Sequence, residues 1–131
     1  MSNIIIVSGA IIVENNKILL NQHGDTEFWK VCGGKQDKDD KDLIATARRE
    51  AKEELGIDVD IIDPVPFIVL DKKVTADGVF DVKLVHYLAK RNGNIEPGFD
   101  IREWGWFDVN NLPENIAPNI IPALKHFKFI K

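Results

Sequence analysis

The sequence has little of what a secreted, membrane-embedded or nucleic-acid-coating protein needs. It contains one cysteine, Cys32, so no intramolecular disulfide can form and a reducing compartment is the expected home. Basic residues do not outnumber acidic ones: 17 Lys and Arg stand against 21 Asp and Glu, a formal net charge of -4. This excludes an electrostatic grip on a nucleic-acid polymer, which requires clustered Lys and Arg. Small phosphates stay accessible to an acidic site when a divalent cation neutralises both partners. A long apolar run is missing too. The opening MSNIIIVSGAIIV has no basic flank and is interrupted at Glu14, well short of the ~20 apolar residues of a membrane span. No membrane partner is expected, and a cytoplasmic location is. Without an internal repeat, linker or low-complexity tract, residues 1–131 are expected to form one domain.

What is present is a concentration of carboxylates beside glycines. Between Gly33 and Ile57 the chain reads GGKQDKDDKDLIATARREAKEELGI. A helix over its second half sets Glu50, Glu53 and Glu54 at i, i+3 and i+4, offsets that make surface neighbours about 5–6 Å apart. Three carboxylates in one patch repel one another unless something compensates. Hard oxygen ligands beside a glycine loop suit Mg²⁺ or Mn²⁺, which take carboxylates, carbonyls, waters and phosphates. The plainer reading is a solvated acidic face in which Arg49 and Glu53 form an ordinary i,i+4 pair.

The whole string resembles the Nudix box: G, five residues, E, seven residues, then R-E-hydrophobic-x-E-E-x-G-hydrophobic. Arg49, Glu50, Ala51, Glu53, Glu54, Gly56 and Ile57 fall on the second half of that pattern without a gap, within a box at residues 34–57. The first half departs from it. Counted from Gly34 the glutamate position falls on Asp40, and counted back from Arg49 it falls on Lys41. Either the loop carries one extra residue and Asp40 stands in, or that glutamate is absent. The resemblance implies an α/β fold, a Nudix-type α/β/α sandwich with a mixed central sheet. It also implies metal ligands among Gly33, Gly34, Glu50, Glu53 and Glu54. Glu50, Glu53 or a later acid would serve as general base, with Arg49 orienting a glutamate.

Taken in order, residues 3 to 13 are rich in Ile and Val and read as a strand, with Gly9 as a bulge or close approach. Asn15-Asn16 reads as a hairpin turn into a return strand over Lys17 to Asn21. Many family members carry a basic residue after this strand that touches phosphate. Here Gln22 and His23 follow, and His23 is taken as a substrate contact, together with Lys35. Cys32, at the usual proline position of the family's W-x-x-P-G-G, reads as a small buried hydrophobe. Asp40 or Asp42 suits the helix N-terminus. Leu43, Ala47, Ala51 and Leu55 form its buried stripe, and Gly56 its C-cap.

Beyond the box, Ile57 to Leu70 reads as a strand broken at Pro64 and Pro66. Asp77-Gly78 reads as a turn, and Val79 to Lys90 as a strand with Val82, Leu84, His86 and Leu88 on one face. His86 is a core histidine or a ligand contact. The following loop delivers Glu96, Asp100 and Glu103. Among these Glu103 is the first choice for a further acid or base, because it opens the strand EWGWF, and Glu96 is the second. Pro118 starts a last helix, and Asn119 is placed where MutT-type members contact the nucleobase.

The function expected is Mg²⁺- or Mn²⁺-dependent hydrolysis of a nucleoside diphosphate linked to a group X. The subfamily markers for ADP-ribose or dinucleoside polyphosphates are missing at Lys72 to Thr75, which favours a nucleoside or deoxynucleoside triphosphate of MutT type. ADP-ribose or nucleotide-sugar cleavage stays open, as does a catalytically weak nucleotide-binding or regulatory module. The partner is a small-molecule nucleotide, and assembly as a homodimer stays open.

Overall fold

A computed structural model describes residues 4–131. The expected first residue of the opening strand, Asn3, lies outside the described residues. The elements run β1 (Ile4–Glu14), β2 (Lys17–His23), β3 (Gly33–Lys35), α1 (Leu43–Leu55), β4 (Asp58–Ile61), β5 (Phe67–Thr75), β6 (Gly78–Asn92), β7 (Ile101–Asp108) and α2 (Ile120–His126). Seven strands form one sheet along the order β4-β6-β1-β2-β7, with β3 added to β1 and β5 to β6. The β1–β6 pair is parallel and the other pairs are antiparallel, so the sheet is mixed, as expected.

Local chemistry accounts for the connections. Asn15 and Asn16 adopt φ of 50° and 64°, the left-handed pair that a two-residue hairpin requires. Pro64 and Pro66 divide the expected long strand into β4 and β5, which pair with opposite ends of β6. Asp42 caps α1, its Oδ1 accepting from the Ala45 N–H at 2.8 Å, and Gly56 closes the helix with φ of 69°. The last helix begins two residues later than Pro118, at Ile120, with Asn119 at its N-cap. The final strand begins at Ile101, earlier than the EWGWF segment suggested.

Alternation along the strands sends neighbouring residues to opposite faces, and each face is covered. Ala10, Ile12, Leu19 and Ala89 pack beneath Ala51 and Leu55 of α1. Ile11, Ile18 and Leu20 pack against Ile120, Ala123 and Leu124 of α2. The result is an α/β/α sandwich in which α2 is the shorter cover. Small side chains on α1 let it lie close to the sheet. β1 serves two neighbours on one edge: Val7–Gly9 pair with β3, and Val13 and Glu14 pair with β2. Gly9 is the close approach the sequence suggested, since a methyl there would fall 2.4 Å from the Cys32 carbonyl oxygen. That contact draws the glycine strand β3 against the middle of the sheet, under the end of α1. Among the described residues no helix is long and apolar enough to cross a membrane.

Candidate active site

The site is built where α1 crosses β3. Arg49 stands at its centre with all five guanidinium N–H groups engaged. Nε and Nη2 donate to the two oxygens of Asp40, each at 3.0 Å, and Nη2 also donates to the Lys35 carbonyl at 3.0 Å. Nη1 donates to Glu50 at 3.0 Å and to Glu53 at 3.3 Å. A planar fork with five donors fits a fully bonded hub in a way a lysine cannot. Asp40 is satisfied in turn by the Thr46 hydroxyl and the Asp37 N–H, each at 2.9 Å. The Arg49 guanidinium holds its carboxyl well below the usual carboxylate range. Of the two residues that counting left open, Asp40 and not Lys41 meets Arg49. The loop therefore accommodates one extra residue and a carboxylate shorter by one methylene.

Glu54 has a different environment. Its side chain is 3% exposed, its Oε2 accepts from the Gly33 N–H at 3.2 Å, and its Oε1 lies 3.3 Å from His23 Nε2. Burial, with the Glu50 charge adding to it against the pull of the Gly33 N–H and Lys30, pushes its pKa up to about 8. Glu50 lies against Gly34, where a methyl would fall 2.4 Å from the Glu50 carboxylate carbon. Only a residue without a Cβ admits that carboxylate to the strand. Glu53 is turned to Arg49 and is 59% exposed. Among the described residues, no three His, Cys, Asp or Glu side chains converge on one point.

His23, expected as a substrate contact, lies against Glu54 in this cluster. Burial and the nearby Lys30 charge lower its pKa, and its Nδ1 lies 3.9 Å from Asp100. Asp100, between β6 and β7, thus reaches the partner of Glu54. Glu103 pairs across β7 with Gln22, on the same sheet face as Leu20 and Phe107, away from α1. Glu96 uses its backbone: its N–H donates to the Leu55 carbonyl at 2.7 Å and closes the end of α1, while its side chain is exposed. The Lys35 side chain is also exposed, its carbonyl being the group that serves the site.

Beside the glycine strand a pocket opens toward α2, lined by Lys30, Gly33, Gly34, Leu84, His86 and Asn119. Lys30 was passed over in sequence. It pairs with Asn21 of β2 through an isolated bridge, so a cation lies beside the second strand although none follows it directly. Arg102 adds another on the opposite neighbour of β2, donating to Gln22 Oε1 at 3.1 Å. The signal available was the basic residue between Trp29 and the glycine pair. Cys32 is buried, with its thiol pushed up to about 12, and has the inert character read from sequence.

A carboxylate helix is knit by one arginine to a glycine strand within an α/β/α sandwich, and the NUDIX domain model that matches residues 5–127 makes the class a pyrophosphohydrolase. The chain belongs to the Nudix family. Solved structures agree. A MutT Nudix hydrolase from Burkholderia pseudomallei is 25% identical with a TM-score of 0.75, over 93% of this chain and 96% of that one. An ADP-ribose pyrophosphatase from Streptococcus suis is 25% identical with a TM-score of 0.69, over 95% and 92%. A UDP-X diphosphatase, 17% identical with a TM-score of 0.73 over 98% and 64%, shares the fold. Members of this family act on small-molecule nucleotides and generally work with a divalent metal.

Proposed function

We propose that this protein cleaves nucleoside or deoxynucleoside triphosphates to the monophosphate and pyrophosphate, in the manner of MutT. The observation that carries this reading is the packing of Glu50 and Glu54 against Gly33 and Gly34, beside a pocket that reaches Asn119. The donor set fits Mg²⁺ or Mn²⁺: all oxygen, with one carboxylate whose ionisation is opposed by burial and, less, by the Glu50 charge. Glu50, Glu53, Glu54 and a carbonyl of Gly33 or Gly34 would hold the ion. Bound there, it supplies a water of lowered pKa and offsets phosphate charge.

The chain's own groups do the rest. Water attacks phosphorus, the phosphoanhydride bond breaks, and the water's proton passes to a carboxylate oxygen of Glu50 or Glu53. Arg49 fixes both carboxylates, so the acceptor is oriented before substrate arrives. Lys30 offers positive charge to a phosphate oxygen at the pocket wall, and Asn119 meets the base. A second reading, cleavage of ADP-ribose or a nucleotide sugar, is supported by the equal identity of the ADP-ribose pyrophosphatase neighbour.

The test is phosphate and pyrophosphate release with Mg²⁺ and Mn²⁺, with and without chelator, across nucleoside triphosphates, oxidised deoxynucleotides, ADP-ribose and nucleotide sugars. Metal-dependent pyrophosphate release from triphosphates is expected. Release from ADP-ribose or nucleotide sugars alone would select the second reading. Silence from protein that still binds nucleotide would make it a binding module.

A further inference from the structure

On the α2 side of the sheet a hydrogen-bond chain links three segments distant in sequence. The Phe67 carbonyl lies 3.0 Å from His86 Nδ1, and His86 Nε2 lies 2.7 Å from the Asn119 side-chain nitrogen. A carbonyl only accepts, so Nδ1 carries the ring proton. A neutral imidazole protonated at Nδ1 has a bare lone pair at Nε2, and of the two ends of an amide only the NH₂ can face it. The ring is 2% exposed, and burial lowers its pKa, which keeps it neutral. Phe67 lies against the imidazole with ring centres 5.7 Å apart, and His126 stacks on Phe67 at 4.6 Å, so the ring plane is fixed as well.

Asn119 is the N-cap of α2 yet makes no capping hydrogen bond with its side chain. An asparagine at that position ordinarily accepts from an N–H of the first turn. Here the side chain is given instead to His86, and both residues line the pocket that opens beside Gly33 and Gly34.

We infer that His86 is a positioning residue for substrate selection. It locks the Asn119 amide with its oxygen turned away from the histidine, so that the acceptor is offered to the pocket and the ring bound opposite must bring an N–H donor. The ring class is a nucleobase edge carrying a ring N–H or an exocyclic amino group; each base bears its donor at a different place on that edge, so a fixed acceptor ranks them by where the donor lies, an assignment that rests on the nucleotide-hydrolase reading above. His86 acts through Asn119 and touches no substrate itself.

The test uses GDP, ADP, CDP and UDP as calorimetric probes with Mg²⁺, on wild type, His86→Leu and His86→Gln. Wild type is expected to rank the four. His86→Leu weakens the preferred diphosphate about 10-fold and flattens the ranking, because the amide loses its anchor. KM for the corresponding triphosphate rises more than kcat falls. His86→Gln, whose side-chain oxygen can accept from Asn119, recovers most of the loss. An unchanged ranking in His86→Leu overturns the inference, and so does a wild type that binds all four alike or none. Should His86→Leu fail to fold, a long-range ¹H–¹⁵N spectrum of wild type decides: the Nδ1–H tautomer at pH 7 supports the inference, and the other tautomer or a charged ring overturns it. His86-insensitive binding with intact metal-dependent hydrolysis removes this inference alone. His86-sensitive binding without hydrolysis removes the hydrolase reading alone.

Discussion

The two faces of the sheet hold polar clusters of opposite kinds. Beneath α1, three carboxylates surround one arginine, and a fourth, the buried Glu54, lies apart from it against Gly33 and His23. Beneath α2, the polar chain is neutral: a carbonyl, an imidazole and an amide. The α1 cluster stores electrostatic repulsion that a cation would relieve, and it is suited to chemistry on a charged phosphate. The α2 cluster stores none and is suited to telling one neutral ring from another. The α2 cluster lines a pocket that reaches Gly33 and Gly34, the glycines against which Glu54 and Glu50 pack, so the glycine strand stands between the two.

The largest effect that would sharpen this contrast is expected at Glu54. Glu54→Gln should lower kcat by at least about 100-fold, the scale of losing one group fixed at the reacting centre. It should also leave the metal-free protein as stable as wild type or more so, because no buried carboxylate is left to ionise. Glu53→Gln should behave likewise in activity. Wild-type turnover by both variants, measured in the same release assay, would break the contrast by showing that the α1 carboxylates do no chemistry.

Next comes the arginine hub. Arg49→Lys keeps the charge but cannot supply five donors, so Glu50 and Glu53 lose their shared orientation. A fall of about 10–100-fold in kcat is expected, the range for groups that orient ligands. Asp40→Asn should follow in the same direction by a smaller amount. Full activity in Arg49→Lys would show that the carboxylates orient themselves.

The pH dependence of stability should separate the faces thermodynamically. The pKa of Glu54 in the folded state is raised to about 8, above its usual carboxylate value. Its contribution to stability is therefore greatest below the unfolded pKa and is lost as pH rises from there through the folded value. At about 1.4 kcal/mol per unit the metal-free protein should lose a few kcal/mol over that window. Thermal unfolding should show the decline in wild type, its absence in Glu54→Gln, and its reversal by added Mg²⁺. A flat wild-type profile would contradict the buried-carboxylate assignment.

The smallest effect tests the box loop itself. Asp42 and Asp40 lie two residues apart, yet the first caps α1 and the second binds Arg49. Asp42→Ala should cost about 1 kcal/mol of stability and leave kcat unchanged. A large activity loss there, with Asp40→Asn silent, would reverse the two roles.

How much of this was legible in the sequence follows from how each cluster is assembled. Glu50, Glu53, Glu54 and Arg49 lie within six consecutive residues, so helical spacing alone set them together. The break at Pro64 and Pro66 and the face shared by Leu84, His86 and Leu88 were equally local. Counting could not decide between Asp40 and Lys41, because a loop's path is not fixed by its length. That Glu103 faces away from α1 was not legible because it turns on strand parity: β7 begins at Ile101, and a register shift falls at Gln22 and His23. Lys30 was missed because its place beside β2 comes from a bridge between segments, not from a run of residues. The His86 and Asn119 contact joins a strand to a helix 33 residues on, and only the packed fold brings them together.

The most direct test of the central claim is a calorimetric Mg²⁺ titration at pH 7, repeated in two buffers of different ionisation enthalpy. A buried Glu54 that holds its proton without metal must give it up to bind the ion, so about one proton should be released per site in wild type and close to none in Glu54→Gln. Binding with no proton release in wild type, or equal release in both proteins, would contradict the account.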